Sequence, residues 1–518
     1  MNPKKTNGTA GRTATNKAKP WQLLLFSFNN GATNVYYVIT VNYIAYYANG
    51  VLGLVVIFAT SMVTVMRIFD AFTDPPIGML IDKTSGRFGK FRPYMVLGNV
   101  MMAISAVLMY FGTRAIPSST MGLRYGLFTL IYMVYVVGYT FQTSCTRSGQ
   151  TCITNDPKQR PLFTIFNTVA SLLGMGLTQV IAVMIGGKYG YGSEKFFDVV
   201  IPIAIVLSMI LTALAVVGIW KKDCPENYGV GGNDTEKVNL KQCISILKEN
   251  HELQMLVVAG AGTKLGFAVA TNASVACMLY ASMMGDYNGL FLPFYIIGYV
   301  ASVPFFIMNA RTSQKKGQKA SLQRFTRIAL VLYLGVLALI FFWQPGNPQT
   351  VLSFKNINLY TIAFIFFYCI GYGAYYSTAD MVIPMTADCS DYETYRTGNY
   401  MPGIIGTLFS LVDKLVSSLS STIVGLAITV VGLSTLPDSN TPYLPGMKVL
   451  VIILFCVIPM LAWIATLWSM KRYSLSGERM KEIQAVNAAR KDAIAEGMSM
   501  KDALERFKNI EEVPDEYR

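Results

Sequence analysis

The run LGLVVIFATSMVTVMRIFDAFTDPPIGMLI, residues 52–81, decides the fold class of this chain. It is apolar over more than the roughly 20 residues that a helix needs to cross a bilayer. Similar runs recur along the 518 residues, of which 53% are hydrophobic and only 14% are charged. A soluble chain carries about 25% charged residues. The sequence therefore predicts an all-α membrane protein with many spans.

We predict twelve spans, arranged as two groups of six. They lie at 22–48, 52–81, 93–113, 123–152, 161–187, 197–220, 254–284, 287–310, 325–344, 357–385, 401–432 and 446–470. The corresponding domains are an N-terminal tail at 1–21, a six-helix bundle at 22–220, a central loop at 221–253, a second bundle at 254–470 and a C-terminal tail at 471–518. The tail is charged, and we expect one or two solvent-exposed helices in it.

The basic residues predict the orientation. Of 43 lysines and arginines, most fall at the termini and in the loops on the same side as the termini. Six fall on the opposite side, namely Arg114, Arg124, Lys188, Lys195, Lys355 and Lys448. The positive-inside rule then places both termini in the cytoplasm, in a multi-pass protein of the cell membrane. The net charge of +14 therefore reports topology, and we expect no nucleic-acid partner.

Eight charged residues fall inside the predicted spans, away from their first and last turns. They are Arg67, Arg147, Lys264 and Lys414, with Asp70, Asp74, Asp380 and Asp413. Each costs about 2.5–3.5 kcal/mol at a helix centre, so these side chains must pair or line a wet cavity. Such residues mark ion and substrate pathways.

The second span holds three of these charges on one helix face. Arg67, Asp70 and Asp74 are spaced i, i+3 and i+7. Two carboxylates one turn apart can share a proton or bind a small cation such as Na⁺. The alternative is an Arg67–Asp70 ion pair that only holds helices together, which leaves Asp74 without a partner.

Four spans carry polar stripes that suit a polyhydroxylated ligand, because rings stack on its apolar face while amides and charges bind its hydroxyls. The stripes are Asn30, Asn34 and Tyr37; Tyr139, Thr143, Arg147 and Gln150; Tyr372, Tyr376 and Asp380; and Ser410, Lys414, Ser417 and Ser421. The alternative is hydrogen bonding between helices. Asp413 and Lys414 point about 100° apart and are not expected to pair.

Arg147 has two possible partners. Its counterion is either an internal carboxylate, Asp70 or Asp74, or a carboxylate on the ligand. The planar guanidinium binds a carboxylate through two hydrogen bonds, which in the second case favours an acidic sugar.

The segment from Arg67 to Tyr94 resembles the hallmark of the glycoside–pentoside–hexuronide:cation symporters of the major facilitator superfamily. Further similarity lies at Tyr139-Thr140, Thr154 to Arg160, Asp388 to Tyr392, Thr397-Gly398, Lys414 and Tyr473 to Ile483. The resemblance implies a bundle of twelve transmembrane helices in two pseudo-symmetric halves, with the substrate site between them.

The resemblance also implies roles for single residues. Asp70, Asp74, Thr140 and Thr73 correspond to the cation site, and Lys414 connects the cation and sugar sites. The loop with Asp82, Arg87 and Arg92 braces the cytoplasmic gate. To these we add Arg67, Lys264 and Asp380 as coupling residues, because they are intramembrane charges. Substrate contacts are assigned to Asn30, Asn34, Tyr37, Thr143, Arg147, Tyr372, Tyr376 and Lys414, although Thr143 and Arg147 depart from the family's sugar-binding pattern.

The predicted function is symport of a sugar or glycoside with Na⁺ or H⁺ by alternating access, without a cofactor. The expected partners are a sugar-like solute, a monovalent cation and the bilayer. The alternatives are a non-coupled carrier, a carrier of lipid or another solute, and a membrane enzyme. An enzyme is disfavoured because the chain has one histidine and no glutamate in its spans.

Overall fold

A computed structural model describes residues 17–84, 86–154, 159–224, 227, 240–379, 381–398, 402–475 and 477–515. In this part of the chain the regular structure is helical. The helices are α1 Pro20–Val38, α2 Ile44–Tyr46, α3 Val56–Lys83, α4 Arg92–Tyr110, α5 Met121–Ile153, α6 Arg160–Tyr189, α7 Glu194–Ile219, α8 Leu240–Glu249, α9 His251–Ala270, α10 Ala273–Ala276, α11 Tyr287–Lys316, α12 Gln318–Phe342, α13 Leu359–Phe364, α14 Ile370–Tyr376, α15 Val382–Thr397, α16 Pro402–Val430, α17 Met447–Val451, α18 Ile458–Arg472, α19 Glu478–Ala495 and α20 Met500–Arg506.

Local sequence signals explain where several helices begin. Pro20 and Pro93 lie in the first turns of α1 and α4, where a missing N–H costs no hydrogen bond. The side chains of Ser193, Asn250 and Asn358 accept hydrogen bonds from the first turns of α7, α9 and α13. Within the described residues, eleven helical stretches are long and apolar enough to cross a membrane.

The first predicted span is not among these eleven. It is formed by α1 and α2 together with π-helical turns at Ile39–Tyr43 and Tyr47–Val51. The observed segment 20–51 contains five asparagines, which lower its hydropathy. They are Asn29, Asn30, Asn34, Asn42 and Asn49.

The helices of the seventh and tenth spans, which we predict at 254–284 and 357–385, are interrupted within these ranges. After α9, Asn272 caps α10 by accepting a hydrogen bond from Ser274 N at 3.0 Å. After α14, the hydroxyls of Ser377 and Thr378 donate back to backbone carbonyls. These side chains offer the backbone groups partners outside a continuous helix.

The helices pack as two sets that meet along α3 and α16. In the first set, α1 packs on α5, α6 and α7, while α4 packs on α5 and α7. In the second, α9 packs on α18, and α12 packs on α11 and α14. Close approach needs small residues, since a Cβ at Gly98 would lie 2.6 Å from the carbonyl oxygen of Gly138. Helix α16 contacts both α9 and α3, and so it connects the two halves.

The two halves also meet at the end of the bundle opposite the termini, which we call the far end. Asn49 donates to the carbonyl oxygen of Ser434 at 3.2 Å and accepts from Leu436 N at 3.0 Å. The hydroxyls of Tyr191 and Tyr287 lie 2.6 Å apart. These contacts cross from the first half to the second and close the bundle at the far end.

Removing the Asn49 side chain should open this closure. In Asn49→Ala, Leu436 N loses its acceptor in a buried site, and a buried unsatisfied group costs about 1–3 kcal/mol. We therefore expect roughly a 5- to 100-fold shift toward the state that is open at the far end. Labelling of Cys277, which is fully buried near the closure, with a membrane-impermeant maleimide should become faster.

The matched control is Asn347→Ala, because Asn347 caps a turn at the far end without joining the halves. Unchanged Cys277 labelling in Asn49→Ala would show that Asn49 does not hold the closure.

The C-terminal tail forms two helices, as predicted, but they are not simply solvent-exposed. Asn487 of α19 donates to the carbonyl oxygen of Asp391 at 2.8 Å, and Arg490 donates to that of Tyr395 at 2.7 Å. Arg490 is 6% exposed. The charge of the tail led us to expect exposed helices, but Ile483 and Val486 of α19 are buried. The tail thus packs against α15 through these hydrogen bonds.

Candidate functional site

A lysine from the opposite half contacts two carboxylates of α3. Lys414 Nζ of α16 lies 2.9 Å from Asp70 Oδ2 and 2.6 Å from Asp74 Oδ2. The spacing i, i+4 on α3 makes this possible, since it puts both carboxylates on one face. Asp70 is 1% exposed. One ammonium group therefore joins the two halves through a buried carboxylate, Asp70, and a partly exposed one, Asp74.

Arg67 completes the charged face of α3. Its Nη1 lies 3.5 Å from Asp70 Oδ2, and its guanidinium carbon lies 4.8 Å from the ring centroid of Tyr37 and 5.5 Å from that of Tyr139. The Arg67–Asp70 ion pair is thus present, but it is not the whole arrangement. Asp70 and Asp74 both contact Lys414, and Asp74 also lies near Arg147, so Asp74 is not left without a partner.

The residues predicted for the cation site lie together. Thr140 Oγ1 donates to Asp70 Oδ1 at 2.7 Å, and the hydroxyls of Thr140 and Thr73 lie 3.2 Å apart. Among the described residues, Asp74 Oδ1 is buried and has no hydrogen-bond partner. Carboxylate and hydroxyl oxygens of this kind are the ligands that hard cations prefer.

Arg147 approaches the same cluster from α5. Its Nη1 lies 3.8 Å from Asp74 Oδ2, which is too long for a hydrogen bond. The Arg147 side chain is 60% exposed. The internal carboxylate considered in the sequence analysis is therefore Asp74, and it leaves the donors of Arg147 accessible.

A second ion pair lies within the second half. Lys264 Nζ of α9 is 3.6 Å from Asp413 Oδ1 of α16. The prediction that Asp413 and Lys414 do not pair is thereby confirmed, since the two side chains have different partners. Asp380, which we predicted as a coupling residue, lies outside the described residues.

The residues predicted to bind substrate do not all meet at the carboxylates. Tyr37 lies on Arg67, whereas Asn30 donates to the carbonyl oxygen of Asn167 on α6 at 3.4 Å. Asn34 donates to Asn30 Oδ1, and Thr143 donates back to its own helix at Tyr139. Of these three side chains, Asn30 bonds to another helix, as the alternative interpretation of the stripes predicts, whereas Asn34 and Thr143 bond within their own helices.

Tyr372 and Tyr376 lie in an aromatic cluster of the second half. Their rings stack with centroids 5.5 Å apart, and Tyr376 also stacks on Phe267 of α9 at 5.3 Å. Phe267 follows Lys264 by one turn on α9, so this aromatic surface adjoins the Lys264–Asp413 pair. Tyr372 is 3% exposed and packs in the core, whereas the partly exposed ring of Tyr376 offers a flat apolar face beside charged groups.

A small cavity adjoins Arg67 and Asp70. The centre of a water molecule can occupy about 20 Å³ of it, which is enough for one water. Its other lining residues include Thr40, Tyr132 and Tyr135. A sugar does not fit this space.

At the opposite end from the far-end closure, Asp223 holds the loop before α4. Its carboxylate accepts from Lys90 N at 2.8 Å, Phe91 N at 3.0 Å and Arg92 N at 2.9 Å. Asp223 is 1% exposed. Gly89 has φ +86°, and a Cβ there would lie within 2.5 Å of Asp223, so only glycine fits. The sequence analysis missed Asp223, although a lone carboxylate after the Lys221-Lys222 pair was a signal.

The predicted gate residues differ in what they contact. Arg92 Nε lies 3.4 Å from Asp223 Oδ2, and the Arg92 guanidinium packs on Trp220 at 4.6 Å. Arg87 is exposed. Asp82 belongs to α3, but its side chain lies outside the described part of the structure.

Asp223→Asn should destabilise the fold. The amide NH₂ cannot accept a hydrogen bond, so backbone N–H groups at the start of α4 lose a charged acceptor in a buried site, which costs about 1.5–3 kcal/mol. The expected result is a lower thermal unfolding midpoint of the purified protein. Asp502→Asn on the exposed face of α20 is the control. An unchanged midpoint in Asp223→Asn would contradict this role.

With this geometry established, comparison with known proteins identifies the family. Residues 25–477 match the sequence profile of the family described as MFS/sugar transport protein. The chain belongs to this family. The match confirms the predicted major facilitator fold and the resemblance to the glycoside–pentoside–hexuronide:cation symporters. It also confirms that the relatives are transporters and not enzymes.

Individual relatives are distant. A lactose permease from Lactobacillus delbrueckii subsp. bulgaricus is 23% identical over 439 residues, which cover 82% of this chain and 64% of that protein. The chain thus spans less than two thirds of that relative's length. A glucuronide carrier protein homolog from Escherichia coli K12 is 24% identical over 475 residues, covering 90% of this chain and 95% of the relative. The solved D-xylose-proton symporter shares the fold, with a TM-score of 0.54 at 14% identity, over 86% of this chain and 96% of that one.

For this member of the MFS/sugar transport protein family, the charged cluster lies where α3 and α16 join the two halves. A side chain that moves at this junction acts on both halves at once. The cluster is therefore the candidate functional site of this chain.

Proposed function

We propose that this protein is a secondary active transporter that carries a sugar-like solute together with Na⁺ or H⁺. The observation that carries the proposal is the bridge from Lys414 to Asp70 and Asp74 across the two halves. A cation that binds these carboxylates competes with Lys414 for the same oxygens. Binding of the cation therefore changes the contact of Lys414 with Asp70 and Asp74, which joins the two halves, as coupled transport requires.

The oxygen ligands available for the cation support this assignment. Asp70 Oδ1 receives the hydroxyl of Thr140, with Thr73 beside it, and Asp74 Oδ1 is buried without a hydrogen-bond partner among the described residues. A Na⁺ ion would take such oxygens as ligands, whereas a proton would neutralise one carboxylate. In either case the cation is a transported substrate.

The sugar-like substrate is supported by the partly exposed ring of Tyr376 and by the relatives, among them the lactose permease and the glucuronide carrier homolog. Alternating access then works between the state closed at the far end and one open there. The excess of basic residues on the side of the termini supports a cell-membrane protein with both termini in the cytoplasm. On that basis the far end is the external side.

The test is uptake into proteoliposomes. The purified protein is given labelled glycosides, pentosides and uronides with an inward Na⁺ gradient, an inward H⁺ gradient or neither. Accumulation above the external concentration on one gradient supports symport and identifies the cation. Uptake that only equilibrates, whatever the gradient, would instead identify a non-coupled carrier and contradict the proposal.

A further inference from the structure

The turn between α11 and α12 concentrates positive charge at the end of the bundle where the termini lie. Five exposed basic side chains, which we call the hairpin cations, are Arg311, Lys315, Lys316, Arg324 and Arg327. A sixth basic residue, Lys319, donates to the carbonyl oxygen of Tyr473 at 2.6 Å. The sequence contains no aspartate or glutamate between Asp286 and Asp380. The two helices and their turn therefore supply no carboxylate to balance these charges.

The rest of the described structure does not balance them either. Within the described ranges, none of the five hairpin cations takes part in an ion pair or a hydrogen bond. The loop before α4 in the first half differs, since Arg92 Nε there lies 3.4 Å from a carboxylate oxygen of Asp223. The counterions of the hairpin cations therefore come from outside the described part of the protein.

An exposed apolar stripe leads to these charges on each helix. On α11, Val300, Ile307 and Arg311 share one face, and both apolar side chains are exposed. On α12, Val331 follows Arg327 by one turn and is exposed as well. In a membrane transporter, faces of this kind contact acyl chains. Each stripe thus runs from the acyl-chain region to a guanidinium group.

The depth of the two arginines matches the headgroup layer. Helix α11 starts at the far-end closure with Tyr287, and the helical rise places Arg311 about 36 Å along it. The hydrocarbon core is about 30 Å thick. Arg327 and Ile307 are equally distant in sequence from the turn at Gly317, so Arg327 lies about 6 Å further into the bilayer than Arg311. Its long side chain can still extend to the phosphate groups of lipids while its stem lies among acyl chains.

We propose that the hairpin cations bind a phospholipid with a net negative headgroup, such as phosphatidylglycerol, in the leaflet on the side of the termini. A zwitterionic lipid brings its phosphate together with a positive group and so leaves the excess charge in place. An anionic headgroup neutralises part of the excess, and its acyl chains cover the apolar stripes. The inference depends on the membrane setting of the family and not on the solute or the coupling cation.

The test measures lipid binding to the purified full-length protein. Native mass spectrometry in detergent counts bound lipids during titration with phosphatidylglycerol or with phosphatidylcholine of the same acyl chains. We expect the wild-type protein to bind phosphatidylglycerol more tightly. One basic residue near an anionic lipid contributes a factor of about 5 in binding. The double variant Arg311→Gln/Arg327→Gln should therefore bind phosphatidylglycerol about 25-fold more weakly, with phosphatidylcholine binding unchanged.

Two further variants separate this surface from net charge. Lys481→Gln/Lys501→Gln removes two exposed lysines from the tail helices α19 and α20, and it should leave the affinity for both lipids unchanged. Arg311→Lys/Arg327→Lys keeps both charges and should bind phosphatidylglycerol within about twofold of the wild type. The thermal unfolding midpoint shows whether each variant is folded, and the lysine variant still tests the site if the glutamine variant does not fold.

Three results would overturn the inference. The first is equal affinity of the wild-type protein for the two lipids. The second is equal weakening in the tail variant, because net charge and not the hairpin would then decide binding. The third is displacement of phosphatidylglycerol by an equal concentration of glycerol 3-phosphate, which would indicate a site for a soluble anion. Gradient-driven uptake tests the proposed function separately.

Discussion

Asp70→Asn and Asp74→Asn are each expected to abolish accumulation of substrate against a gradient, by about 100-fold or more in the accumulation ratio. Each change removes a charged oxygen ligand from the cation site, and hydrogen bonds and ion pairs to charged groups contribute about 1.5–3 kcal/mol each. The gradient then no longer drives the conformational change. The measurement is uptake into proteoliposomes on the coupling gradient, alongside exchange of labelled for unlabelled substrate at equilibrium. Exchange should persist, because it needs no net cation flux.

The two variants should differ in stability. Asp70 is 1% exposed and has Arg67, Thr140 and Lys414 as partners, so its replacement should also lower the unfolding midpoint. Asp74, whose side chain is 26% exposed, should affect stability less. Asp198→Asn, at a half-exposed far-end pair, is the matched control. If either cluster variant still concentrates its substrate, the cation-site assignment is wrong.

Lys414→Met has the second large expected effect. Without the ammonium, two carboxylates face each other with only Arg67 at 3.5 Å and Arg147 at 3.8 Å to compensate them. Breaking a buried pair costs up to about 3–5 kcal/mol. We expect a lower unfolding midpoint and at least about a tenfold fall in coupled uptake, because the link from α16 to α3 is lost. Both quantities are measured on the purified protein.

The control for Lys414→Met is Lys355→Met, which removes an exposed lysine from a far-end loop. A second variant, Lys414→Arg, retains the charge and should recover part of the stability. Wild-type transport together with a wild-type unfolding midpoint in Lys414→Met would show that this bridge serves neither coupling nor the fold.

Much of the fold followed from short-range patterns in the sequence. Apolar runs of about 20 residues identify spans because every backbone N–H and C=O in a bilayer must be bonded within the segment. The breaks at Asn272 and Ser377 were not predicted, because a cap inside a hydrophobic run resembles any other polar residue until the backbone geometry is known. The packing of the tail through Arg490 was missed for a similar reason, since its partners are carbonyl oxygens far away in the chain.

The charged site also has features that the sequence predicted and features that it did not. The sequence predicted that Arg67, Asp70 and Asp74 share a face, because helical periodicity fixes the direction of residues on one helix. It also determined that the intramembrane charges had to find partners, because an isolated charge in a bilayer is too costly. The pairing of Lys414 with Asp70 and Asp74, the pairing of Lys264 with Asp413 and the exposure of Arg147 became known from the packed structure. The physical reason is that these partners lie on different helices, whose relative rotation and depth depend on packing across the whole bundle, and no local pattern encodes them.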